Sequence, residues 1–141
     1  MARGDNKKAM AFRFAPKTVQ HLKRRAHEVG AAQTALVERY IEEGLRMDEH
    51  PLVHFRDGEA GRRPAVLGSR LDVADVIETI RQNDKSLEAA ADYLELPVEQ
   101  VEACLRYYAD YKDEVDEWIE RDRVALEREQ ERLRRQQAAL A

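Results

Sequence analysis

Residues 9–22 read Ala9-Met10-Ala11-Phe12-Arg13-Phe14-Ala15-Pro16-Lys17-Thr18-Val19-Gln20-His21-Leu22, and a change of hydrophobic period inside this stretch decides the fold of the N-terminal part. Met10, Phe12 and Phe14 alternate with Ala11 and Arg13, the pattern of a half-buried strand. Pro16 then stands where a helix can open, because its missing N–H is one the first turn does not need. From there Val19, Leu22, Ala26 and Val29 recur at helical spacing with Lys23, Arg24 and Arg25 between them, which predicts a helix over 16–29 that Gly30 can end. Leu36, Val37, Tyr40, Ile41 and Leu45 mark a second helix over about 32–46. The order is short strand, helix, glycine turn, helix.

A unit of this size, residues 1–47, buries too little apolar surface to stand alone, so it calls for a second copy. Two such chains can pair their strands as an antiparallel ribbon. Met10, Phe12 and Phe14 then face the four helices and form the dimer core with Leu36, Val37, Tyr40 and Ile41, while Ala11 and Arg13 face outward. A two-stranded ribbon fits the major groove of DNA, where an arginine can donate two bonds to guanine O6 and N7. The start of the second helix, around Ala32, Gln33 and Thr34, offers backbone N–H groups suited to a phosphate. Lys7, Lys8 and Lys17 add attraction that does not depend on base sequence.

Charge supports this division of labour. The whole chain of 141 residues carries a net charge of −4, yet residues 1–47 hold ten Lys/Arg against five Asp/Glu, and residues 83–122 hold four against thirteen. One end suits a polyanion and the other repels it. No apolar run approaches the roughly 18 residues needed to span a bilayer, and no positive-then-apolar leader opens the chain, so a cytoplasmic location and no membrane partner are expected. Cys104 is the single cysteine and lies among apolar helix positions, as a packed core residue does.

Beyond the first unit, residues 48–51 read as a linker. Leu52-Val53-His54-Phe55 and Ala65-Val66-Leu67 flank a stretch with Asp57-Gly58 and Gly61, which predicts a small irregular hairpin. Helices are expected over about 72–82, 86–94, 97–110 and 112–138, the first three closing a domain over 52–110 and the last forming a charged C-terminal helix over 111–141. Asp72 and Ser86 are candidate N-caps, but Asp75 and Ala89 three residues on do not supply the Glu or Gln of a capping box; Pro97 suits the first turn of its helix. In the last helix Ile119, Leu126, Leu133 and Leu140 recur every seven residues, with Asp122, Glu129 and Gln136 at the companion positions. That seam is too thin for an autonomous coiled coil and fits a helix that docks a partner through Trp118, Ile119, Leu126 and Leu133.

Residues 87–105 have the spacing of a helix–turn–helix, with Ala91, Glu95 and Val101 at its key offsets and Leu94, Leu96 and Leu105 completing the apolar set. Glu99 and Glu102 fall on the helix that would face DNA, where carboxylates repel phosphate, so the motif reads as a scaffold for protein contacts. Signals of an enzyme are poor. His21, His27, His50 and His54 have no matching catalytic or metal constellation, Pro51 keeps His50 and His54 off a common helix face, and there is no phosphate loop or nucleophile motif. No catalytic residue, metal or cofactor is expected.

Two resemblances sharpen the reading. Residues Phe12 to Leu22 followed by Gly30-Ala31-Ala32-Gln33-Thr34-Ala35-Leu36-Val37 resemble the ribbon–helix–helix family of repressors and antitoxins over about residues 7–47. The family often opens its second helix with Ser or Thr where this chain has Ala32, and places a polar reader where it has Ala11. The segment Gly61-Arg62-Arg63-Pro64-Ala65-Val66-Leu67-Gly68-Ser69-Arg70-Leu71-Asp72-Val73, with the helices after it, resembles the domain-of-unknown-function family 433 over about residues 52–110. Many of its members look like antitoxins paired with a PIN-like nuclease. Together the resemblances imply a mainly α protein that dimerises through a ribbon, represses its own operon from operator DNA, and neutralises a nuclease toxin through its C-terminal half. Toxin blockade could come from carboxylates that mimic phosphate, or from Arg128 or Arg132 reaching the toxin's acidic metal ligands. A stand-alone regulator without a toxin is the alternative.

Overall fold

The computed structural model describes residues 6–141. These residues form six α-helices and one two-stranded hairpin, in two compact units of which the first ends at Glu42 and the second is Glu43–Ala141.

In the first unit, α1 (Pro16–Val29) opens on Pro16 and closes on Gly30, which adopts φ 67°. The Ala31 N–H then reaches back to the Ala26 carbonyl at 3.0 Å, so glycine supplies the left-handed turn that a side chain would resist. α2 (Gln33–Glu49) starts one residue later and runs three residues further than the periodicity indicates. It stops because Pro51 disfavours helical backbone at His50. Ala26 and Leu36 are buried between these helices. The expected strand over 9–14 is not formed in the single chain: residues 6–15 have no regular secondary structure, and Met10, Phe12 and Phe14 are 80%, 60% and 52% exposed. A strand satisfies its N–H and C=O groups only beside another strand, and this unit of one chain contains no second one among the described residues.

The second unit begins within α2 and continues into β1 (Val53–Gly58) and β2 (Gly61–Val66), an antiparallel pair in register from Val53 opposite Val66 to Gly58 opposite Gly61. The hairpin is longer and tighter than its sequence suggests, with only Glu59 and Ala60 in the turn. Gly61 sits at φ +118°, and a Cβ there would meet Trp118 Cη2 at 3.4 Å. Gly61→Ala is therefore expected to cost about 1–3 kcal/mol, read as a lower midpoint in urea melts with an unchanged slope.

α3 (Val73–Gln82) is the centre of this unit. Val73, Ala74, Val76, Ile77 and Ile80 are all buried, and α4 (Leu87–Leu94), α5 (Val98–Asp110) and α6 (Lys112–Leu140) pack around it. Asp75 completes a capping box with Asp72 after all: its carboxylate accepts the Asp72 N–H at 3.0 Å, the short Asp side chain doing what Glu or Gln does elsewhere. The Ser86 hydroxyl caps α4 by accepting the Ala89 N–H at 3.1 Å. Pro97 is the cap residue of α5 rather than part of its first turn. Ala91, Val101 and Cys104 are buried as the helix–turn–helix pattern requires, Glu95 takes its left-handed turn at φ 56°, and Leu105 is exposed, so it is not part of the apolar set. Burial pushes the Cys104 thiol up to about 12, which leaves it unreactive.

α6 is not a separate tail. Val115 and Ile119, in its first turns, belong to the core of the second unit. From about Ala125 onward it is exposed throughout, and exposed Arg–Glu pairs such as Arg134–Glu131 line it. No helix among the described residues is long and apolar enough to cross a membrane.

Candidate functional site

Two surfaces carry the chemistry, one on each unit. On the first unit, Phe12, Phe14, Val19, Leu22, Val37, Tyr40 and Ile41 line an open apolar groove of about 740 Å³. The rings of Phe12 and Phe14 lie 6.3 Å apart, so the alternate residues of the expected strand do share one side. Leu36 is buried within the unit, whereas Tyr40 and Ile41 remain exposed; of the expected dimer core, Leu36 is used for the monomer's own packing.

Lys8, Ala11, Arg13, Lys17, Gln33 and Thr34 are all exposed. Arg13 and Lys17 enter no ion pair among the described residues. Lys7 is different: its Nζ lies 3.2 Å from Glu38 Oε1, so part of its charge is already answered. The first turn of α2 holds no acidic residue, and its N–H groups keep their attraction for an anion.

On the second unit, the charges sort into two classes. One class is locked. Arg63 donates to both carboxylate oxygens of Asp122, at 2.9 and 2.5 Å, and to Asp72 at 3.3 Å. Its guanidinium also lies 4.3 Å from the Trp118 ring. The bond to Asp122 raises the Arg63 pKa above its ordinary value, against the cost of burial. Arg56 sits directly opposite Arg63 across the hairpin, a repulsive pairing that Asp72 bridges at 3.1 and 3.3 Å while Asp122 answers the second charge. Arg62 makes a two-bond contact with Glu43 at 2.6 and 2.8 Å. Arg46 donates to Glu114 at 2.6 Å and to the hydroxyl of Tyr107 at 2.8 Å. Burial pushes that hydroxyl up to about 12, so it stays a neutral partner.

The other class is unanswered. Glu88 and Asp92 on α4, Glu95 at its end, and Glu99 and Glu102 on α5 are exposed and make no ion pair among the described residues. Tyr93 stands among them, 74% exposed. The carboxylates of α6, by contrast, are largely paired: Asp116 with Lys112 and Arg81, Glu120 with Arg123.

The residues expected to hold a partner are divided by the structure. Ile119 is 9% exposed and Trp118 half-buried between Arg63 and Arg121, so both serve the unit's own packing, because the α6 stripe starts in the core before it emerges. Leu126 and Leu133 are exposed. The locked network of Arg46, Arg56, Arg62, Arg63, Asp72 and Asp122 is not legible in the sequence. Its only signal there is the basic pair Arg62-Arg63 in an otherwise apolar strand.

Comparison with curated proteins and with solved structures finds no match. Residues 54–108 match a protein family described as protein of unknown function, DUF433. The match spans the hairpin, α3, α4 and nearly all of α5, and the core that these elements form also takes in Val115 and Ile119 from α6.

Proposed function

We propose that this protein is the DNA-binding antitoxin of a type II toxin–antitoxin pair, acting as a homodimer on its own operator and as the inhibitor of a PIN-like nuclease. The observation that carries the reading is the first unit's open apolar groove, with exposed Arg13, which has no ion pair among the described residues, between Phe12 and Phe14. A second copy of residues 9–14 supplies both missing elements at once: the strand that satisfies the first copy's backbone, and apolar side chains for the groove. The paired strands then present Arg13 twice on one ribbon, with Lys8 and Lys17 and the start of α2 beside the phosphates. In this reading the protein is not an enzyme and works in the cytoplasm.

The second unit supports the inhibitory role through its unanswered carboxylates. Glu88, Asp92, Glu95, Glu99 and Glu102, with no ion pair among the described residues, suit a basic surface built to hold RNA, with Leu126 and Leu133 as further apolar contacts. The alternative, a stand-alone regulator, is favoured by one observation: Trp118 and Ile119 are spent on the protein's own core, which shrinks the partner surface.

Sedimentation equilibrium at micromolar concentration tests the dimer. The native chain is expected to run as a dimer and the Phe12→Ser/Phe14→Ser double variant as a monomer that keeps its second unit folded while helical circular dichroism falls by no more than the share of α1 and α2. A native monomer rejects the ribbon. Purification from the native cell separates antitoxin from stand-alone regulator, since only the former brings down a nuclease in fixed stoichiometry.

A further inference from the structure

The ends of α2 and α5 meet in the second unit at a group of metal-ligating side chains that borders the Arg46–Tyr107 contact but includes none of the residues of the two surfaces above. His50 follows the last residue of α2 and is only 8% exposed. Tyr107 and Tyr111 hold its ring edge-on at 5.1 and 6.1 Å, and its backbone is tied on both sides, His50 N–H to the Arg46 carbonyl and Val53 N–H to the His50 carbonyl. The ring is therefore fixed, with Nε2 pointing at Asp110, whose Oδ2 lies 2.8 Å away. Glu49 is the neighbouring residue, exposed and without an ion pair among the described residues. One ligand atom from each of Glu49, His50 and Asp110 lies within 4.8 Å of the others.

Those separations are on the scale of a coordination sphere. An ion about 2.0–2.2 Å from nitrogen and oxygen ligands holds neighbouring ligand atoms roughly 3–3.5 Å apart. The buried imidazole already stands in place, and the two exposed carboxylates can swing the short distance required. Both carboxylates also sit at helix C-termini, where the backbone dipoles add negative potential and a carboxylate is least favoured unless a cation answers it. Arg46, the basic residue in the last turn of α2, is bonded to Glu114 and Tyr107 instead.

We propose that Glu49, His50 and Asp110 form a binding site for a divalent transition cation of zinc type. His50 ligates through Nε2 and each carboxylate through one oxygen, leaving a coordination position open to solvent. One nitrogen with two oxygens favours zinc over magnesium or calcium, which take oxygen alone. The bound ion takes the place of the His50–Asp110 contact, and it clips the end of α2 to the end of α5. No part of this depends on the antitoxin reading.

The test is calorimetric titration of ZnCl2 into the untagged full chain after EDTA treatment and dialysis, with the imidazole signals of the four histidines followed by NMR. One zinc ion per chain is expected, with the His50 ring signals shifting and those of His21 and His27 unmoved. Glu49→Gln changes an exposed side chain with no ion pair among the described residues and so leaves folding intact; it is expected to weaken zinc at least about tenfold, as is Asp110→Asn. Asp84→Asn, an exposed acid elsewhere, is expected to change nothing. A hundredfold excess of MgCl2 is expected not to compete. Zinc binding that is absent, that leaves His50 unshifted, or that is equally tight in Glu49→Gln and Asp110→Asn overturns the site.

Discussion

Arg13→Ala is expected to lower affinity for the operator by at least about 30-fold while leaving the dimer and its Tm unchanged. One bidentate arginine–guanine contact discriminates by about 1–3 kcal/mol, and a ribbon of two chains presents the residue twice. The side chain is exposed and has no ion pair among the described residues, so its removal frees no partner there and disturbs no packing. Salt dependence distinguishes a base contact from a phosphate contact. Arg13→Ala is expected to leave the slope of log affinity against log salt nearly intact, because a base contact releases no phosphate counterion. Lys17→Ala is expected to flatten that slope by about one for each phosphate it no longer neutralises, and to weaken operator and random DNA alike. Lys7→Ala is expected to do less, since Lys7 already faces Glu38. Gel shifts across a salt series on operator and scrambled duplexes make the measurement. Arg13→Ala with native affinity for the operator removes Arg13 as the base reader and the ribbon as the recognition element.

Where a local pattern dictates a local element, the sequence is a good guide. Pro16 and Gly30 bracket α1 as their backbone preferences require, and the helical spacing of α3, α4 and α5 survives to within a residue at each end. The same alternation that marks Met10, Phe12 and Phe14 is present in the chain, yet a strand needs a second strand beside it, and residues 6–15 have none among the described residues. Distance in sequence hides the rest. Arg63 and Asp122 are 59 residues apart and Arg46 and Glu114 are 68 apart, and neither pairing leaves a periodic trace. The His50–Asp110 contact is hidden in the same way: the spacing of the histidines alone points to His54, and Pro51 then argues against a metal. α6 misleads for a different reason. Ile119, Leu126, Leu133 and Leu140 form one seven-residue series, but burial ends partway along it. The first member packs inward with Val115, and the others face solvent. Periodicity shows that a helix has a face, and only the fold shows where along the helix that face is covered.

That split gives the second large effect. A chain ending at Tyr111 is expected to lose the fold of its second unit, whereas a chain ending at Ala125 is expected to keep it. The shorter chain lacks Val115 and Ile119, each worth about 1.5–3 kcal/mol of burial, and uncovers the apolar faces of α3 and α5 that they close. It also takes one carboxylate partner from each of two poorly solvated guanidinium groups. Arg63 loses Asp122 and the Trp118 ring, and Arg46 loses Glu114, with side chains only 10% and 15% exposed in the intact protein. Arg63 keeps Asp72 and Arg46 keeps the Tyr107 hydroxyl, so each loss costs less than the about 1–3 kcal/mol of a donor left bare. These losses together reach the roughly 5–15 kcal/mol that holds an ordinary domain folded. The longer chain gives up only exposed turns whose Arg–Glu pairs are worth about 0.3–0.5 kcal/mol each. Amide hydrogen exchange at Val76 and Ile77, the buried middle of α3, distinguishes the two outcomes without relying on total helix signal. Protection is expected to vanish in the chain ending at Tyr111 and to match the full chain in the one ending at Ala125. Protected α3 amides in the shorter chain would make residues 54–108 sufficient for the domain and reduce α6 to an appendage.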